Sequence, residues 1–131
     1  MREADGVLYT RAGLEVSVAS TKAFVSQITA AYLLGLHLAL VRGKKCVDEV
    51  LEILEDFREV PNKIQELVDQ FDSISQLAHN LRAVKSVLFL GRNVGYPVAL
   101  EGALKLKELA YIHAEGFAAS ELKHGPIVLV G

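Results

Sequence analysis

Apolar residues recur along this 131-residue chain in two rhythms. Short continuous runs bounded by glycine or charge predict buried strands: Gly6 to Thr10 (GVLYT), Lys85 to Arg92 (KSVLFLGR) and Ile127 to Val130 (IVLV). Longer stretches predict helices. After the loop RAGLEVSVAS, Ser20 or Thr21 is placed to cap a helix that runs to about Arg42 and stops at Gly43. Val47, Val50, Leu51 and Leu54 then follow the i, i+3, i+4, i+7 rule. So do Val60, Ile64, Leu67, Val68 and Phe71, and after them Ile74, Leu77, Ala78 and Leu81. These predict amphipathic helices broken or restarted at Pro61 and Asp72. The charged residues between their apolar positions (DEVLEILEDFREVPNKIQE) read as solvated faces of a connector. After the second strand the turn NVGYP leads into a helix with Pro97 in its first turn, continuing through about Ile112.

Strand, helix, strand, helix, strand is the order of an α/β protein with a parallel sheet. Parallel strands need helices on both faces, and the repeat looks cut at both ends, so the expectation is an excerpt of a longer α/β protein. The run from Ala23 to Val41 is long and apolar enough to raise the question of a membrane span. It contains Ser26, Gln27, Thr29 and His37, and a core helix is the expectation. The opening MREADGVLYTR lacks a basic start followed by an apolar run, so no secretory signal is expected.

Charge narrows the partners. Fourteen basic and sixteen acidic side chains give a net charge of −2, with no basic stripe to gather DNA or RNA, and nucleic acid and membrane are both excluded as expected partners. A single cysteine, Cys46, cannot close an internal disulfide, which suits a reducing cytoplasm.

The chemistry concentrates in LEGALKLKELAYIHAEGFAASELKHGP, Leu100 to Pro126. With Glu101 at zero on a helical wheel, Lys105 falls near 40° and Glu108 near −20°, so their heads share an arc of roughly 60°. Glu101 before Lys105 at i, i+4 is also the favourable order for a plain surface ion pair. The surrounding Leu100, Ala103, Leu104, Leu106, Leu109, Ala110 and Ile112 leave little circumference for water, so the stripe should face a cleft or an interface. On the residues alone, a functional stripe and a structural ion-pair network stand level. If functional, a carboxylate oriented by an ammonium suits a general base that takes a proton from carbon beside a carbonyl or imine. His124, set before Gly125 and Pro126, can serve the protons of a ring oxygen or simply be solvated. No histidine pair has metal-ligand spacing, so neither a metal nor a cofactor is expected. The glycines of LGRNVGYP do not make G-x-G-x-x-G, so dinucleotide binding is a weak reading. The hydroxyls of VASTKAF, Ser20 and Thr21, fit either contact with an anion or sugar hydroxyl or simple capping.

VASTKAF and YPVALEGALKLKELAYIHAEGFAASELKHGP closely resemble the isomerase half of the glutamine–fructose-6-phosphate aminotransferase (glucosamine-6-phosphate synthase) family. That half is built of two sugar isomerase (SIS) domains, each a doubly wound parallel sheet. The resemblance covers nearly the whole chain. It implies that residues 1–45 end a first SIS domain, 46–82 are inter-domain helices and 83–131 begin a second. It implies that Glu108 moves a proton between C1 and C2 of the sugar, with Lys105 and Glu101 lining the same site. It further implies that His124 assists ring opening from the neighbouring subunit of a homodimer, and that Val18, with Ser20 beside it, contacts the substrate, fructose 6-phosphate. The family's hydroxyl-rich phosphate loop, its C-terminal imine-forming lysine and its glutaminase domain lie outside these 131 residues. The chain alone is therefore expected not to make glucosamine 6-phosphate. Two alternatives stand beside this reading: another SIS sugar-phosphate isomerase or deglycase, and a non-catalytic phosphosugar-sensing SIS module.

Overall fold

The computed structural model describes residues 3–130, and the chain divides into two compact units between Ile74 and Ser75. The first unit begins with a long irregular segment and continues as helices: α1 (Lys22–Val41), α2 (Val47–Arg58) and α3 (Val60–Asp69), with α4 (Phe71–Leu81) running across the division. Helix α1 starts and stops where the residues predict. Gly43 supplies the left-handed stop, φ +60°, while the Arg42 and Gly43 amides close the last turn on the carbonyls of Leu38 and Leu40. Inside α1, the Ser26 and Thr29 hydroxyls donate to the carbonyls of Lys22 and Val25, at 2.8 and 2.9 Å. This removes their polarity from an otherwise apolar helix. With 20 residues and a mean hydropathy of 1.7, α1 is long and apolar enough to cross a membrane by length and composition, a property that soluble core helices share. Within its unit it buries Leu36 and stacks Tyr32 on Phe57 of α2, with ring centroids 5.3 Å apart.

Cys46 takes the N-cap position of α2, and its amide donates to the Glu49 carboxylate at 2.8 Å. That bond, with the Lys45 ammonium adding to it, holds the Glu49 carboxyl below its ordinary range. The connector breaks fall beside the expected positions: Pro61 opens α3, where its missing N–H costs nothing, and α4 restarts at Phe71.

The second unit is a βαβ unit. Strand β1 (Ser86–Gly91) leads into helix α5 (Gly95–Ala110), which returns through Tyr111 to strand β2 (His113–Ala118). The strands pair in parallel with Ser86 opposite His113 and Gly91 opposite Ala118. An α/β architecture with a parallel sheet is thus what the chain has, but two of its three expected strands are not where the apolar runs placed them. Gly6–Thr10 does not form a strand, and Val7, Leu8 and Tyr9 are half exposed. Ile127–Leu129 lie instead in a 3-10 turn, Pro126–Leu129, where the Val128 amide donates to the Gly125 carbonyl and the Val130 amide to that of Ile127. The partner of β1 is instead HAEGFA. Strand identity is conferred by a neighbouring edge that accepts the hydrogen bonds, and the edge of β1 is filled by the segment that α5 delivers to it.

That segment suits the position because it is small. Ala114 is fully buried, and Ala99 and Ala103 on the facing side of α5 are nearly so. A methyl group added at Gly116 would lie 3.0 Å from the backbone of Leu100, and one at Gly102 would lie 2.9 Å from the Phe89 ring. Helix and sheet therefore meet at backbone distance, and α5 is held in one rotational setting about its axis.

Candidate functional site

That setting fixes where the charged stripe lies. With Ala99 and Ala103 turned to the sheet, Glu101, Lys105 and Glu108 come together on another face of α5. The Lys105 ammonium donates to Oε2 of Glu108 at 2.5 Å and stands 3.4 Å from Oε1 of Glu101. The three side chains are 21, 22 and 28% exposed for Lys105, Glu101 and Glu108, which sets them between the solvated surface pair and the buried ion. Lys105 is held protonated above its ordinary range. The bond to Glu108 is the leading cause, partial desolvation opposes it, and the bond and charge of Glu101 add to it. One cation thus orients two carboxylates, and Glu108 keeps acceptor capacity beyond the lone pair that Lys105 uses.

Helix α5 ends at Ala110, two residues before the expected stop, because Tyr111 adopts a left-handed conformation at φ 56°. A 440 Å³ cavity beside α5 is lined by Leu81, Val87, Phe89, Leu106 and Ile112, with Arg82 as its charged member. Its walls carry no acid or base for the stripe's chemistry.

His124 is exposed and closes the 3-10 turn Ala119–His124, followed by Gly125 at φ +146°. No hydrogen bond or ion pair among the described residues joins it to the stripe. Val18 and Ser20 lie in the first unit, on the loop ahead of α1; Val18 is 94% exposed and Ser20 half-buried. Within the second unit the structure assembles Glu101, Lys105 and Glu108 into one cluster and sets His124 on a 3-10 turn, while Val18 and Ser20 share one loop of the first unit.

The start of α1 corrects one expectation. Thr21 occupies the N-cap position, but its hydroxyl does not cap the helix. Glu15 does: its carboxylate accepts the Thr21 hydroxyl and amide, both at 3.3 Å, and the Ala23 amide at 3.0 Å. Desolvation pushes the Glu15 carboxyl up, and the amides of Thr21 and Ala23 together outweigh it, so the group is held below its ordinary range. The stretch LEVSVAS has no apolar period that singles out Glu15. The available signal was a carboxylate shortly before a helix whose first turn contains no acid. Among the described residues no group of three His, Cys, Asp or Glu side chains is placed to hold a metal ion.

Residues 80–131, which hold this βαβ unit and its charged stripe, match the SIS domain family. Over 98% of its length the chain is similar to proteins named glutamine–fructose-6-phosphate aminotransferase [isomerizing]. The one from Corynebacterium efficiens is 68% identical and the one from Mycobacterium tuberculosis 59%. The chain spans about a fifth of the length of these relatives, 21%. Among solved structures, the C-terminal domain of glucosamine-fructose-6-phosphate aminotransferase from Francisella tularensis matches 98% of the chain at 38% identity and a TM-score of 0.94, the match covering 36% of that chain. A phosphosugar isomerase candidate from Clostridium difficile 630 matches 99% at 26% identity and a TM-score of 0.74, covering 37% of that chain. The chain as a whole is thus similar to one segment of proteins bearing that aminotransferase name, and its residues 80–131 match the SIS domain.

Proposed function

We propose that this chain forms the central part of an isomerase site that converts a ketose phosphate to an aldose phosphate, within an enzyme that makes glucosamine 6-phosphate and glutamate from fructose 6-phosphate and glutamine. The observation that carries the proposal is the half-buried stripe, with the Lys105 ammonium between the carboxylates of Glu101 and Glu108. In this reading Glu108 accepts a proton from C1 of the sugar imine and returns it to C2. Lys105 aims the carboxylate by donating to its Oε2, and Glu101 fixes Lys105 from its other side. His124 of a second subunit in a homodimer passes a proton to the ring oxygen as the sugar opens, while Val18 and Ser20 contact the sugar phosphate. Residues 1–45 would then close a first SIS domain, 46–82 connect, and 83–131 open a second, in a cytoplasmic enzyme.

Glu108→Gln in the full-length enzyme tests the assignment. The substitution keeps the shape and an acceptor but removes the base. Exchange of the C1 proton of fructose 6-phosphate with deuterated solvent should slow by about 10²-fold or more, with substrate still bound. Exchange at the unsubstituted rate would remove Glu108 from the chemistry. A second reading, an SIS isomerase or deglycase for another amino sugar phosphate, draws support from the likeness to the Clostridium difficile protein. It differs in requiring no glutamine, so the glutamine dependence of product formation separates the two.

A further inference from the structure

The loop from Gly13 to Ala23 is fastened at both ends. At its start, the Lys22 ammonium reaches back to the Leu14 carbonyl at 2.5 Å, beside Gly13, which adopts φ +73°. At its end, Glu15 spans six residues to the Thr21 amide and hydroxyl and eight to the Ala23 amide. Between the two clasps the Ala19 amide donates to the Ser17 hydroxyl at 3.1 Å, and Ala19 is buried at 5% exposure. The result is a short loop anchored by one buried methyl and two ionic clasps, with Val18 projecting at its tip, 94% exposed.

A free loop of this length would lose much conformational freedom on ordering around a ligand; a fastened one has already lost it. We propose that Glu15 is a positioning residue that preorganises the Val18–Ser20 loop for the substrate. Its carboxylate holds the Thr21 and Ala23 amides at the start of α1, which keeps the exposed Val18 edge and the half-buried Ser20 hydroxyl in place for contact. The inference rests on the proposed substrate contact of Val18 and Ser20.

Four variants of the full-length enzyme, Glu15→Ala, Glu15→Gln, Ser20→Ala and Glu52→Ala, test it by steady-state kinetics with fructose 6-phosphate. Glu52 is an exposed carboxylate on α2 and serves as the control. A preorganised contact remote from the reacting carbons predicts a KM raised about tenfold in Glu15→Ala with kcat within about twofold, since the binding lost is common to ground and transition states. Glu15→Gln, which keeps one carbonyl acceptor, should recover part of that loss, and Glu52→Ala should match the parent. A general loss of folding would lower the active fraction and so kcat, leaving KM unmoved. If Ser20→Ala raises KM but Glu15→Ala leaves KM unchanged or lowers kcat alone, the positioning role is overturned. If Ser20→Ala also leaves KM unchanged, it is the substrate contact of the loop that fails.

Discussion

Lys105 is the residue on which the site's electrostatics turn. Its ordinary pKa of 10.5 is raised, with the Glu108 bond as the leading cause. A folded-state value above the unfolded one contributes stability that is fully present below about pH 10.5 and is lost as pH climbs through the raised value. The Lys105 shift therefore leaves a stability profile flat near neutrality, and its contribution is lost only in strong alkali. A nitrogen-detected NMR titration of Lys105 should show its pKa fall back toward the ordinary value, further in Glu108→Gln than in Glu101→Gln. Equal falls would mean that the 2.5 and 3.4 Å contacts are not ranked as their lengths imply. The spacing of the three charges was readable from the residues, because a helix places i, i+4 and i+7 on one arc whatever surrounds it. Glu15 was not readable, since its bonds join a loop residue to a helix start six and eight positions on, and no period connects them.

At the scale of elements, the fit of α5 to β2 depends on absent side chains. A methyl at Gly116 would press on the Leu100 backbone at 3.0 Å, where neither partner can rotate away. Gly116→Ala should therefore destabilise the second unit by about 1–3 kcal/mol, read from the midpoint of urea unfolding. Gly35 makes the contrast: it lies inside α1 with nothing within 4 Å of an added methyl. Gly35→Ala should stabilise by about 0.5–1 kcal/mol through helix propensity alone. A reversal of the two signs would place the tight contact elsewhere. The helices were legible nearly to the residue, because their apolar periods and stops are local. Strand β2 was overlooked for the opposite reason. HAEGFA carries two titratable residues and no β-branched one, so nothing in it announces a strand until β1 offers it an edge.

For the whole molecule, the informative fact is how much apolar surface stays uncovered. Val25, Ile28, Leu34, Leu38 and Val41 of α1, Leu67, Val68 and Phe71 of the connector, and Val128 and Val130 in and just after the last turn are all exposed. The buried apolar residues of the first unit include Ala19, Leu36 and Val50, a small core for its length. Surfaces of this kind are interfaces in the proteins that carry them. Expressed by itself, the 131-residue chain should self-associate and bind a hydrophobic dye, with sedimentation velocity showing species heavier than 14.3 kDa. Spanning 21% of its relatives' length, it should also yield no glucosamine 6-phosphate from fructose 6-phosphate and glutamine above a buffer blank. A monodisperse monomer without dye binding would mean that these apolar faces cover one another.

What the amino-acid sequence determined by itself is local: the helices, the stop of α1 at Gly43, and the common arc of Glu101, Lys105 and Glu108. Each depends on chain neighbours within two turns, and hydrogen bonds between i and i+4 close without outside help. What only the tertiary structure decided is every feature that needs a partner distant in sequence. The pairing of HAEGFA with β1, the absence of strand from GVLYT and IVLV, and the rotational setting of α5 on Gly116 all belong there, as does the capture of the α1 amides by Glu15. A strand's hydrogen bonds and a helix's orientation are completed by another segment, and which segment arrives is settled by packing rather than by hydrophobicity.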